Sequence, residues 1–197
     1  DRSVSRGLGD VYKRQMLNIV CGSISVDSGK ILINNQDITN MSEHKRLSKI
    51  GRVFQDPSLG TCPSMTIMEN MALADNKGKL YGLGRGTNKA RIEYYREQLA
   101  QLGLGLEDKM DVKVGSLSGG QRQALTLLMA TLQKPKLLLL DEHTAALDPK
   151  TAAKVLDITD RIVNRDHLTT LMITHNMKDA IAHGNLSLIH ISEPTRH

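Results

Sequence analysis

Two acidic residues close an apolar run, and their position indicates phosphate or metal chemistry. Asp141 and Glu142 directly follow the run 136–140, which reads KLLLL. Four consecutive leucines favour a strand buried on both faces, as in a parallel sheet. Ligands of α/β proteins bind at the carboxyl edge of such a sheet. At that edge one carboxylate could hold Mg²⁺ while the other orients and polarises an attacking water.

A second candidate site lies at the start of a predicted helix. Residues 117–121 read LSGGQ, with Ser118 as the predicted N-cap and Gly119, Gly120 and Gln121 in the first turn. Glycines leave backbone N–H groups accessible at the positive end of a helix, which is an anion-binding arrangement. Taken alone, the segment could also be an ordinary helix start in which glycine is tolerated.

Two further polar side chains end predicted strands. Gln55 closes the strand-like segment 50–55, and His175 follows the apolar segment 168–174. An amide oxygen can ligate Mg²⁺ or position water, and an imidazole can donate a hydrogen bond to a phosphate oxygen. Each residue alone fits a plainer role, as a surface glutamine or a structural histidine.

The elements that must position these residues alternate between strands and helices. Such alternation predicts an α/β fold with a parallel sheet. Asp148 is the predicted cap of a helix that begins at Pro149, where a missing N–H costs nothing. The run from Pro63 to Gln133 reads as helical. We therefore expect an α/β core formed by residues 16–62 and 134–185, with an inserted helical subdomain at 63–133.

The composition is that of an ordinary globular protein and excludes several classes. The 197 residues are 40% hydrophobic and 24% charged. Their apolar runs are far shorter than the roughly 18 residues of a spanning helix. Two cysteines, Cys21 and Cys62, indicate a reduced protein without a disulfide scaffold. The net charge is +5, but tryptophan is absent and only 3% of the residues are aromatic. Few side chains are therefore available to stack on nucleic-acid bases.

The two ends of the chain are related through the genetic code. Residues 4–15 and 186–197 are codon-compatible as reverse complements over their whole length. The shared element resembles the adapter left by transposon-based sequencing libraries. We therefore expect 1–15 and 186–197 to be adapter-derived tails and assign them no part in the fold. A native arm and tail is the alternative.

At this point the motifs resemble a known family. The order LSGGQ at 117–121, LLLLDE at 137–142, AALD at 145–148 and Thr174–His175 resembles the ATPase subunit of ABC transporters. The similarity covers essentially all of residues 16–185. It implies a P-loop NTPase-like (RecA-like) core and the cofactors ATP and Mg²⁺.

The resemblance also implies a role for each site residue. Asp141 would be the Walker B carboxylate, Glu142 the catalytic base and His175 the switch histidine. Gln55 would sense Mg²⁺ and touch the membrane partner. Two further motifs would act across a dimer interface: the LSGGQ residues Ser118, Gly119, Gly120 and Gln121, and the D-loop residue Asp148.

One motif of the family does not occur. The sequence contains no G-x-x-x-x-G-K-[ST] phosphate loop, which should precede MLNIVCG at residues 16–22. The residues at that place, 9–15, belong to the predicted tail. His143 follows Glu142 where the family usually has proline, and we expect it, with His44, His167 and His183, to face solvent.

The resemblance extends to partners and to a class of substrate. Residues 54–75 resemble ATPases of bacterial uptake systems grouped with amino-acid importers. This implies a head-to-tail ATPase dimer, a transmembrane permease and a substrate-binding protein, with the subunit peripheral at the cytoplasmic face of the membrane and no nucleic-acid partner. Two alternatives stay open: a soluble ATPase of the same family acting in translation or nucleic-acid processing, and an inactive fragment.

Overall fold

The computed structural model describes the backbone of residues 3–77 and 91–184. The helices are α1 (Ser3–Cys21), α2 (Glu43–Leu47), α3 (Ile67–Asp75), α4 (Ile92–Ala100), α5 (Gly119–Thr131), α6 (Pro149–Asp166) and α7 (Met177–His183). The strands are β1 (Leu32–Ile33), β2 (Gln36–Asp37), β3 (Ile50–Val53), β4 (Leu137–Asp141) and β5 (Thr170–Ile173). Short 3-10 turns occupy Pro57–Leu59 and Val114–Ser116. None of the described helices is both long enough and apolar enough to cross a membrane.

A parallel sheet of three strands in the order β3-β4-β5 forms the centre of the fold. Its register pairs Val53 with Leu140 and Asp141 with Ile173, so the carboxyl ends of all three strands meet at one edge. The parallel α/β class predicted from the sequence is confirmed. β1 and β2 form a separate antiparallel hairpin.

The middle strand separates two apolar clusters. Leu138 and Leu140 pack on one face with residues of α5 and α6, and Leu139 packs on the other with Leu17 and Cys21 of α1. All three leucines are almost completely buried, and each contributes roughly 2 kcal/mol of apolar burial. The unbroken leucine run therefore marks a strand covered by helices on both sides.

Side-chain caps fix where the helices begin. Ser118 and Thr66 each accept a hydrogen bond from the backbone three residues later, and Gln121 and Glu69 reciprocate in a capping box. Asp148 caps α6, which starts at Pro149 as predicted. These local signals set the first turn of each helix that the site uses.

A buried arginine joins α1 to the hairpin region. Arg46 is 3% exposed and donates to the carbonyls of Ile19, Met41 and Thr39 at 2.7, 2.9 and 2.5 Å. Ile19 lies in the last turn of α1, where a cation is favoured by the helix dipole. The carboxyl end of α1 is thereby held in place.

Some boundaries differ from those predicted. The sequence indicates only the last turns of a helix from Met16, whereas α1 begins at Ser3 and so runs through the predicted tail. Strand β2 was not predicted. The expected tail 186–197 lies outside the described residues, as do residues 87–90 at the predicted start of α4.

Candidate functional site

Glu142 and His175 meet at the carboxyl edge of the sheet. Nε2 of His175 lies 2.7 Å from Oε1 of Glu142. Glu142 directly follows β4, and His175 lies two residues beyond β5, so the pairing of these neighbouring strands brings the two side chains together. The Glu142 side chain is 8% exposed and that of His175 is 52% exposed, so the contact lies at the border between core and solvent.

The backbone of Glu142 has an uncommon conformation. Its φ is +46°, in the left-handed region that non-glycine residues seldom adopt. Its N–H donates to the carbonyl of Ile173 at 3.0 Å, and its carbonyl accepts from the N–H of Ala145 at 2.9 Å. Strain of this kind persists where surrounding contacts determine it, and it is concentrated at functional sites.

Asp141 is paired with an arginine that the sequence did not single out. Nη2 of Arg52, on β3, lies 3.5 Å from Oδ2 of Asp141. The same guanidinium donates to Oδ1 of Asn18 at 2.9 Å and stacks 4.7 Å above the ring of Phe54. A charged residue inside the otherwise apolar strand IGRV is the signal that could have identified it. Arg52 therefore connects α1, β3 and the end of β4.

The donors at this edge fit Mg²⁺ only as part of a larger shell. Gln55 follows β3 by two residues, and the register of β3 with β4 places it at the same edge as Asp141. Among the described residues no group of three acidic, histidine or cysteine side chains is arranged to hold a metal. Mg²⁺ is commonly held by one or two protein oxygens together with phosphate oxygens and water. Asp141 and Gln55 suit that arrangement.

Gln55 also contacts α1. Its Oε1 accepts a hydrogen bond from Nη2 of Arg14 at 3.4 Å. Its backbone neighbour Phe54 accepts from Nε2 of Gln123, a residue of α5 that is 1% exposed. The Gln123 contact fixes the backbone just before Gln55 to the LSGGQ helix. Sequence reasoning did not identify Gln123, because an inward-facing glutamine carries no motif.

The LSGGQ segment is the amino end of α5, as predicted. Oγ of Ser118 accepts from the N–H of Gln121 at 3.3 Å, and Oε1 of Gln121 accepts from the N–H of Ser118 at 3.2 Å. Ser118 and Gly119 are exposed, whereas Gly120 is buried. The helix start therefore has an exposed side that an anion can approach.

The start of α5 packs against the start of α6. A Cβ on Gly120 would collide with Cγ2 of Thr151, and one on Gly119 would lie 3.3 Å from Cδ2 of Leu147. Asp148, between these two neighbours, accepts from the N–H of Thr151 at 3.1 Å. Hydrogen bonds from the hydroxyl and the N–H of Thr151 hold the pKa of Asp148 below its ordinary value. The predicted LSGGQ and D-loop residues thus lie side by side.

The prediction for His143 was wrong. We expected a solvent-facing side chain, but His143 is 2% exposed and its Nε2 lies 3.2 Å from Oγ1 of Thr159 in α6. Burial, with a smaller contribution from His183, lowers the pKa of His143 to about 4. Sequence reasoning could not detect this burial, because His143 lies two residues beyond β4, in a turn that no periodic pattern covers. His44 and His167 are exposed as predicted.

The fold and the site define a parallel α/β domain with two carboxylates, Asp141 and Glu142, at the carboxyl edge of its sheet. Residues 13–145 match the family model described as "ABC transporter". The chain belongs to the ABC transporter ATP-binding family, and this confirms the resemblance read from the motifs.

Curated relatives are ATP-binding subunits of transport systems. The chain is 50% identical over 190 residues to the tyrosine transport ATP-binding protein of Clostridioides difficile (strain R20291), covering 96% of this chain and 74% of the relative. It is 37% identical over 175 residues to the methionine import ATP-binding protein MetN of Desulfitobacterium hafniense (strain Y51), covering 87% of this chain. The chain spans about half the length of MetN, 48%.

Solved ATP-binding cassettes share the fold. One is the ADP conformation of an ATP-binding cassette of an ABC transporter. It superposes with a TM-score of 0.70 at 24% identity, and the match covers 87% of this chain and 68% of the cassette chain. Another, a dimeric cassette in a post-hydrolysis state bound to ADP and Pi, gives a TM-score of 0.67 at 29% identity over 85% of this chain and 72% of its own.

Proposed function

We propose that this chain is part of the ATP-hydrolysing subunit of an uptake transporter for an amino acid or a similar small solute. The observation that carries the proposal is the contact between Glu142 and His175, 2.7 Å, directly beside Asp141 at the carboxyl edge of the sheet. The tyrosine and methionine relatives support the class of solute.

The residues at the sheet edge divide the chemistry among them. Glu142 is the general base: it accepts a proton from the attacking water, and His175 holds the carboxylate at its Oε1. His175 is half-exposed, which leaves its ring at the surface that a phosphate would approach. Asp141 and Gln55 would hold Mg²⁺, which neutralises phosphate charge when bound.

The amino end of α5 acts on nucleotide held by another subunit. Ser118 and Gly119 are exposed at the positive end of a helix of 13 residues, where an anion is favoured. Asp148 is exposed beside them and would face the same partner. We therefore propose a head-to-tail dimer in which each site combines the sheet edge of one subunit with the LSGGQ segment of the other.

The partners follow from the class of system. A transmembrane permease would dock near Gln55 and the helical segment, and a substrate-binding protein would deliver the solute. The subunit would then be peripheral, at the cytoplasmic face of the membrane. The exposed side chain of Leu59, just beyond Gln55, offers an apolar contact for the permease.

We further infer that this chain alone does not hydrolyse ATP. Its sequence has no G-x-x-x-x-G-K-[ST] loop to cradle the phosphates of its own nucleotide. The expected result with ATP and Mg²⁺ is no turnover above background. Mg²⁺-dependent turnover that Glu142→Gln abolishes would contradict this inference.

A chimera tests the catalytic roles directly. A segment that carries a G-x-x-x-x-G-K-[ST] phosphate loop is joined ahead of Met16, and phosphate release is measured. We expect Mg²⁺-dependent hydrolysis that Glu142→Gln lowers by roughly a hundred-fold or more, because it removes the base. Hydrolysis unchanged by Glu142→Gln would show that the base is a different residue.

Mixing tests the contribution across the dimer. An intact subunit supplies the phosphate loop, and this chain supplies Ser118. We expect activity from the mixture that Ser118→Arg removes, while Ser116→Arg, on the exposed turn just upstream, leaves it in place. Equal activity with both variants would argue against the dimer role of LSGGQ.

A further inference from the structure

His143 is a buried side chain between Glu142 and helix α6. Its Nε2 lies 3.2 Å from Oγ1 of Thr159, which is itself 4% exposed. Oγ1 of Thr159 already donates its only proton to the carbonyl of Val155 at 2.8 Å. Thr159 can therefore only accept from the ring, and this assigns the proton of His143 to Nε2.

The next residue of α6 makes a matching contact with α7. Oδ2 of Asp160 lies 2.6 Å from Nδ1 of His183, at the end of α7. Helix α7 begins two residues after His175. Two adjacent residues of α6 thus make these contacts: Thr159 bonds to His143, which follows Glu142, and Asp160 bonds to α7, the helix after His175.

This arrangement accounts for the backbone of Glu142. A φ of +46° costs a non-glycine residue of order 1 kcal/mol or more, so contacts on both sides must maintain it. On one side the N–H of Glu142 donates to Ile173. On the other side the buried, hydrogen-bonded ring of His143 fixes the following residue.

We propose that His143 is a positioning residue whose Nε2–H bond to Thr159 aims the Glu142 carboxylate at His175. The proposal concerns geometry, and its catalytic meaning rests on the proposed role of Glu142 as base. The Thr159 hydroxyl both satisfies the buried ring N–H and fixes the orientation of the ring.

The ring nitrogen signals of His143 and His175, measured by NMR on the ¹⁵N-labelled chain, report both contacts without any need for hydrolysis. Glu142→Gln provides the reference signal of His175 without its carboxylate partner. We expect Thr159→Val and His143→Leu to move the His175 signals towards that reference. Thr159→Ser keeps the hydroxyl and should preserve the wild-type signals.

Thr131→Val is the matched control. Thr131 is a buried helix threonine whose hydroxyl donates to the carbonyl of Leu127 at 3.0 Å in α5. We expect Thr131→Val to destabilise the fold about as much as Thr159→Val and to leave the His175 signals in place. If Thr159→Val fails to fold, the His175 signals of the His143→Leu variant provide the test. Wild-type His175 signals in the folded Thr159→Val or His143→Leu variant would overturn the proposal. A chimera that hydrolyses ATP equally with Glu142→Gln would overturn only the proposed function.

Discussion

Nε2 of His175 and Oε1 of Glu142 lie 2.7 Å apart, although 32 residues separate them in the chain. The contact exists because β4 and β5 are parallel neighbours, paired from Leu138 with Thr170 to Asp141 with Ile173. The intervening helix α6 is the crossover that such a pair requires. Sheet topology, and not proximity in sequence, therefore brings together the proposed general base and the histidine that holds its carboxylate.

Removing the Ser118 cap should destabilise the domain. Ser118→Ala deletes the acceptor for the N–H of Gln121, and we expect a loss of about 1 kcal/mol in the free energy of unfolding. Urea denaturation measures it. Ser116→Ala, which removes an exposed hydroxyl bonded to the carbonyl of Lys113, should cost less. Equal losses would show that the Ser118 cap contributes no more to the free energy of unfolding than the exposed hydroxyl of Ser116.

Arg52 should be more important for stability than its position in a short strand suggests. Arg52→Met leaves the carboxylate of Asp141 buried without its cation, and we expect a loss of about 3 kcal/mol. Adding Asp141→Asn removes the uncompensated charge, so the double variant should lose less than the sum of the single variants. Thermal or urea unfolding of all four forms gives the coupling. Strict additivity would mean that the ion pair contributes nothing.

Gly120 should tolerate no side chain while Thr151 keeps its methyl group. Gly120→Ala places a Cβ against Cγ2 of Thr151, and we expect a loss of about 2 kcal/mol from overpacking. Thr151→Ser removes that methyl group and should restore stability to the Gly120→Ala variant, since alanine is favoured over glycine within a helix. Gly119→Ala, with its 3.3 Å approach to Leu147, is the milder control. Unfolding midpoints that rank the two glycine variants in the opposite order would contradict this packing.

Tyr95 should make the fold sensitive to high pH. Burial, and then the hydrogen bond that its hydroxyl donates to Asp75 at 2.9 Å, raise the pKa of Tyr95 from near 10 to about 12. The unfolded chain loses this proton first, so the stabilising effect is complete below pH 10 and is lost as the pH rises towards 12. Urea unfolding measured across this range should show a decline that is smaller in Tyr95→Phe. An identical decline in both proteins would place the sensitivity elsewhere.

Local signals in the sequence predicted the parts of the fold that depend on local chemistry. Ser118 and Asp148 start helices because each offers an oxygen to a backbone N–H a few residues later. The leucine run of β4 was recognised as a strand because a strand buried on both faces has a continuous apolar sequence. The apolar runs that precede Asp141, Glu142 and His175 likewise predicted their positions at strand ends.

The contacts that hold the site could not be predicted, because they join distant segments. Arg52 is conspicuous in its apolar strand, but nothing in the sequence indicates that it reaches Asn18 and Asp141. Likewise no pattern indicates that His143 reaches Thr159. The hairpin strand β2 was missed because two residues carry too little pattern to distinguish a strand from a turn. Long-range side-chain contacts of this kind become visible only once the fold is known.

The residues at the end of β4 connect it to three other parts of the fold. Three consecutive residues reach three different elements: Asp141 contacts Arg52 of β3, Glu142 contacts His175 beyond β5, and His143 contacts Thr159 of α6. Planar peptide bonds join the three residues, so only the φ and ψ angles of each can adjust when one contact changes. A ligand that draws Asp141 away from Arg52 would therefore act on the same three-residue segment that makes the contacts with His175 and with Thr159 of α6.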